Sequence, residues 1–338
     1  MRGKRPAGAK VLLWTVGIAV VVASGTFIAF QVTPWPSALL IRYAFTKDAA
    51  RVSQALERHV PAGGAARLNE RYDPNDSDAY LDIFYPSKVE DSRPTPLTVV
   101  WVHGGGWVSG SKDQIANYAR ILAARGFTVV GVNYTTAPAA SYPTPVRQIN
   151  VALSYLAGNA ARLHLDPSGF VLAGDSAGAQ IAAQVANIVV VPSYAQAMGI
   201  APSLEPPQLV GVVLYCGAYT LRGINLDGRF GGFLKTVLWS YSGSKNFMTE
   251  QRFATASVVD YVTAQFPPTY ISDGNADPLL PQSVAFADAL ASRGVRVERL
   301  FFPHDYKPPL LHEYQFDLDT EAGRLALERS THFLSSLR

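Results

Sequence analysis

The chain is poor in cysteine, histidine and charge, and each shortage narrows what it can be. One cysteine, Cys216, in 338 residues excludes an internal disulfide. It closes the apolar run 209–215 and reads as a buried small hydrophobe rather than a reactive thiol. Six histidines leave few candidates for a general base. Arg2, Lys4, Arg5 and Lys10 together exceed the formal net charge of +3, so everything after residue 10 sums to about −1. With no basic face in the body, nucleic-acid binding has no electrostatic footprint. No internal repeat is visible, and a 48% hydrophobic content excludes intrinsic disorder and allows one large core.

What is present begins at the N-terminus, where residues 11–32 carry no charge and follow four cations. A stretch of about 20 apolar residues crosses a hydrocarbon core of about 30 Å, whereas cleavable signals have an apolar region of about 7 to 15. The expected organisation is a basic tail at 1–10, a transmembrane signal-anchor at 11–32, a juxtamembrane or lid segment with linker at 33–65, and a catalytic domain at 66–338. The cations stay on the cytoplasmic side, which makes this a single-pass protein of the cell membrane with its catalytic domain outside. The small residues Ala23, Ser24 and Gly25 keep a secreted, signal-cleaved alternative open. Residues 35–45 carry Trp35, Leu39, Leu40, Ile41, Tyr43 and Phe45, suited either to the bilayer interface or to a lid over the catalytic cleft. Residues 46–60 read as an amphipathic helix and 61–65 as a turn-rich linker.

Further on, 69–72 and 80–85 read as two strands around the turn cluster 73–78. Short apolar runs at 97–102, 128–132, 170–173, 209–215, 269–272 and 297–302 then alternate with helical stretches near 113–125, 144–158, 177–190, 281–293 and 320–336. Runs without two-residue alternation are buried on both faces, as in a parallel sheet covered by helices. The fold class is therefore α/β, and its ligands bind at the carboxyl ends of the strands. Residues 220–256 interrupt the alternation with Phe230, Phe233, Trp239, Tyr241 and Phe247, a cap insertion suited to lining an apolar pocket.

Two motifs follow apolar runs. Gly174, Asp175, Ser176, Ala177 and Gly178 set a serine between glycines at a strand-to-helix turn, where only small flanking residues let strand and helix approach. His103, Gly104, Gly105, Gly106 and Trp107 form a glycine loop with backbone N–H groups free to hold an oxyanion. The loop lacks a following Lys-Ser/Thr or G-x-G-x-x-G spacing, which argues against phosphate. Gly104 and Gly105 are the expected donors, with Ala177 N–H as the third.

A serine nucleophile needs a base and a carboxylate to orient it. His59, His164 and His332 fall in helices or a loop away from the strand ends, and His103 is suited to bracing its own loop. His304 and His312 both follow the last strand. His312 is preferred because it directly precedes the final helical region. Of Asp273 and Asp277, the second can reach over the sheet edge, while the first suits a local turn. The chain order Ser176, Asp277, His312 then matches such hydrolases.

These residues resemble the hormone-sensitive-lipase-like branch of the α/β-hydrolase superfamily, whose HGGGW and GDSAG strings both occur here verbatim. Asn133, Tyr134, Ala137 and Pro138 are similar to its Y-R-L-A-P stretch, and Asp277, Pro278 and Leu279 to its D-P-L motif. The resemblance covers roughly 66–338. It implies an α/β-hydrolase fold with a mostly parallel central sheet, and a serine carboxylesterase acting on small-molecule esters of short or medium acyl groups, with no metal and no cofactor. The only other partner expected is the lipid bilayer, through the N-terminal helix; nothing in the sequence bears on oligomeric state. Two departures stand out: the family's histidine is commonly followed by glycine, here Glu313, and its arginine is replaced by Thr135. The alternatives are an arylformamidase-like amide hydrolase, which uses similar motifs, and an inactive hydrolase fold kept as a binding module.

Overall fold

The computed structural model describes residues 7–86, 95–222, 224–228 and 230–337. Arg2, Lys4 and Arg5 of the expected basic tail lie outside the described residues. Helix α1 (Ala7–Val32) holds the uncharged run. Its portion Leu12–Val32 is long and apolar enough to cross a membrane, and none of those 21 residues is buried in the protein.

After Thr33 and Pro34 the chain enters α2 (Trp35–Glu57). One helix thus replaces the expected division into an aromatic segment at 35–45 and a helix at 46–60. Pro36 falls in the first turn, where its missing N–H costs no helical bond, and residues 37–57 contain neither glycine nor proline to stop the helix. The linker at 61–65 is also shorter than expected. Strand β1 (Ala65–Arg71) already pairs antiparallel with β2 (Tyr80–Tyr85) at Ala65 opposite Tyr85. It is an exposed edge strand, so its extent follows backbone pairing rather than an apolar pattern.

Strands β3 (Thr98–Val102), β4 (Thr128–Val132), β5 (Phe170–Asp175), β6 (Leu209–Tyr215), β7 (Thr269–Asp273) and β8 (Val297–Phe301) coincide with the apolar runs to within two residues. The eight-stranded sheet runs β1-β2-β4-β3-β5-β6-β7-β8, antiparallel through its first two pairings and parallel thereafter. Helices α3 (Ala116–Ala123), α4 (Thr144–Gly158), α5 (Ser176–Val190), α6 (Pro192–Met198), α7 (Gly231–Ser242), α8 (Leu280–Ala291) and α9 (Glu321–Ser335) complete the fold. Val100, Val102 and Leu172 share a core with Ile149 of α4 and Ile181 of α5. Their neighbours Val99, Trp101 and Val171 face the other way, toward Ile121 of α3 and Phe333 of α9. Both sheet faces are therefore dry, which explains the unbroken apolar runs.

The short α6 was not legible: Pro192 ends α5 and the pair is bent by 118°. Within the cap segment α7 crosses α2, with Phe45 and Phe233 ring centroids 5.7 Å apart. Strand β5 lies at the middle of the sheet, so its carboxyl end opens beneath these two helices.

Candidate active site

The turn between β5 and α5 shows why its residues are what they are. Ser176 has φ 51°, a left-handed conformation that strains an L side chain and turns it out of the sheet. A Cβ on Gly174 would lie 2.6 Å from the Gly178 carbonyl carbon, and one on Gly178 would lie 2.0 Å from Val102 O. Neither position tolerates a side chain, and strand and helix touch through bare backbone.

Ser176 Oγ is 2.9 Å from His312 Nε2, and His312 Nδ1 is 2.6 Å from Asp277 Oδ2. The structure thus brings together the serine, histidine and aspartate singled out in the sequence. Asp277 also accepts the Leu279 N–H at 2.7 Å and is fully buried at its side chain. Burial works against its charge, but the hydrogen bond and charge of His312 hold the carboxyl below its usual range. Asp273 behaves oppositely: burial and the neighbouring Asp277 charge raise it to about 8, while Ser283 donates to it at 2.6 Å and Gly274 N–H at 2.8 Å. His312 favours the ionised form of Asp277, while burial and the Asp277 charge disfavour that of Asp273.

For His312, burial disfavours the cation, but the Cys216 thiol, the Asp277 hydrogen bond and the Glu313 charge outweigh it and hold the ring well above its ordinary range. Cys216 is buried as expected, and burial pushes its thiol up to about 12. Its position was not legible: Cys216, Asp277 and His312 offer ligand atoms within 4.8 Å of one another. This is the one described cluster with metal-ligand geometry, and two of its three members already face each other across a hydrogen bond.

The glycine loop requires a correction. Gly104 N–H donates to Asp175 Oδ2 at 2.8 Å, so it is not free to meet an oxyanion. The cause is the second residue of the GDSAG string: Asp175 also accepts the Trp101 indole N–H at 2.7 Å and ties loop to strand. Gly105 and Gly106 N–H have no hydrogen-bond partner among the described residues. Gly106 fronts the cavity, and a Cβ there would meet Phe233, Val237 and Phe45 no closer than 3.5 Å. The donors left available near Ser176 are therefore Gly105, Gly106 and Ala177. His103 does brace the loop: its Nδ1–H donates to Gly104 O at 2.9 Å and its ring stacks on Tyr134 at 4.2 Å, with burial lowering it to about 4. His304 is exposed and contributes only its carbonyl, to Asn275.

Two residues were given no role in the sequence. Asn275 donates to the carbonyls of Pro303, His304 and Tyr306, each at 3.2 Å, and accepts Leu310 N–H at 2.8 Å, which moors the loop carrying His312. Its place beside Asp277 was the available signal. Glu313, noted only as a departure, has φ 60° and lies 3.7 Å from His312 Nε2. It also faces Asp175, whose carboxyl is raised well above the usual range by burial and by the Glu313 charge.

Above Ser176 and His312 lies a cavity of about 1320 Å³, walled by Phe45 and Val52 of α2 and by Phe233, Val237 and Leu238 of α7.

A family model described as BD-FAE matches residues 81–290. An esterase of Gibberella moniliformis is 27% identical over 257 residues, which is 72% of this chain and 75% of that protein. Among solved structures, esterase B of Lactobacillus rhamnosis inhibited by a tributyrin phosphonate superposes with a TM-score of 0.75 at 22% identity, covering 89% of this chain and 96% of that one. The Pyrobaculum calidifontis esterase gives 0.70 at 22% identity, over 89% and 93%. These two likenesses establish a shared α/β-hydrolase fold.

Proposed function

Because the chain belongs to the BD-FAE family, within the α/β-hydrolase superfamily, we propose that it is a serine carboxylesterase acting on short or medium acyl esters, tethered to a membrane by α1. Ser176 attacks the ester carbonyl while His312 takes its proton. Asp277 holds the imidazole in the tautomer that presents Nε2 and stabilises the imidazolium that forms. Gly105, Gly106 and Ala177 N–H receive the developing oxyanion, a donor of this kind contributing about 2.7 to 4 kcal/mol of barrier stabilisation. His312 returns the proton to the leaving alcohol, and water then releases the acyl group by the reverse sequence.

The observation that carries this reading is the unbroken relay of 2.9 Å and 2.6 Å from Ser176 through His312 to Asp277. It is supported by the esterase relative and by a cavity that opens onto the serine. The test is turnover of p-nitrophenyl butyrate by Ser176→Ala, expected to fall by about 10⁶-fold in kcat, as when a nucleophile is removed from a working relay. A fluorophosphonate should label the unaltered chain at Ser176 alone. Full activity in the alanine variant overturns the assignment.

A further inference from the structure

Helix α2 has two faces with different surroundings. Phe45, Asp48, Ala49, Val52 and Leu56, at helical spacing, line the cavity over Ser176. The opposite face begins with Leu39, Leu40 and Tyr43, of which Leu40 is 63% and Tyr43 72% exposed, and continues one and two turns later with exposed Lys47 and Arg51. Along that outer face the chemistry therefore passes from aliphatic to tyrosine to basic as the helix leaves α1. That gradient is what a helix meets on going from acyl chains through the headgroup layer to water.

The position of α1 says which surface this face meets. Its 21-residue uncharged span is about 31 Å long at about 1.5 Å each, the thickness of a hydrocarbon core. Only Thr33 and Pro34 separate its end from Trp35, so the first two turns of α2 cannot leave the interface. The cap is held to the same end: Lys245 donates to the Gln31 carbonyl and covers the Trp239 ring at 4.8 Å. Phe230 both lines the cavity and is exposed.

We propose that the cavity is filled from the bilayer: the inner face of α2 roofs Ser176, its outer face rests on lipid, and the substrate is an ester whose alkyl chain partitions into the membrane. This rests on the esterase and tether readings above. A cavity of about 1320 Å³ exceeds the roughly 300 to 1,000 Å³ that suits a compact ligand, and leaves room for a chain between α2 and α7.

The test uses the full chain in vesicles of ether-linked phosphatidylcholine, which contain no ester of their own, with p-nitrophenyl acetate as the water-soluble probe and p-nitrophenyl decanoate as the partitioned one. The double variant Leu40→Asp with Tyr43→Asp touches neither the relay nor the cavity wall. It should lose about tenfold in decanoate turnover and change acetate turnover less than about twofold, because only interfacial seating depends on that face. A parallel fall in both probes, or an unchanged decanoate rate, overturns the proposal. Acetate hydrolysis by the unaltered chain without decanoate hydrolysis also overturns it, leaving the esterase reading intact; hydrolysis of neither removes both.

Discussion

The floor and the roof of the cavity are built on different principles. On the floor, hydrogen bonds of 2.6 to 2.9 Å link Ser176 to His312, His312 to Asp277 and Gly104 to Asp175, and β5 and α5, which carry Asp175 and Ser176, are almost wholly buried. The roof of α2 and α7 meets through partly buried apolar side chains such as Phe45 and Phe233, with no directional bond between those two. Directional contacts fix one geometry, whereas apolar contacts tolerate repacking. Changes to the floor should therefore act on kcat and changes to the roof on KM.

The sharpest way to break this contrast is Asp277→Asn. It keeps the shape but offers the wrong partner to His312 Nδ1, and kcat should fall by about 10⁴-fold with KM little altered. Steady-state kinetics on a soluble ester would show it, and a loss confined to KM would erase the distinction. Asp175→Ala comes next. It orphans the Trp101 and Gly104 N–H groups, each costing about 1 to 3 kcal/mol when buried, so thermal melting should drop while kcat falls through a loosened glycine loop. On the roof, Phe233→Ala should raise KM for a medium-chain ester about tenfold, a hydrophobic-pocket effect, and leave kcat nearly as it was.

The smallest effect concerns pH. In the proposed mechanism the neutral ring of His312 is the base, and its pKa is raised above the ordinary 6.5, so activity should be lost as pH falls through a midpoint above that value. Glu313 is one cause of the rise. Glu313→Gln should move the acid limb of the kcat/KM profile to lower pH, and a limb that stays put would separate Glu313 from the floor.

The floor was the more legible half in the sequence as well. The GDSAG and HGGGW strings, the order Ser176, Asp277, His312 and the strand runs all follow from local steric need or from burial on both faces. Less was legible where a partner distant in sequence decides. Gly104 looked like a free donor until Asp175 claimed it, and Cys216 looked like mere filling although it sits against the imidazole. Residues 35–57 looked divisible because their aromatic and polar portions differ, yet nothing in the backbone interrupts them. The roles of interface and lid, alternatives for 35–45 by sequence, fall on opposite faces of one helix in the reading proposed above.

Glu313 carries one more consequence. A left-handed backbone costs an L residue about 1 to 2 kcal/mol, and glycine would escape that penalty while giving back roughly 0.5 to 1 kcal/mol of chain freedom. A laboratory breeding this protein for heat tolerance alone would therefore be drawn to glycine at 313. The hardier descendant would have traded away a charge that holds the His312 imidazole above its ordinary range.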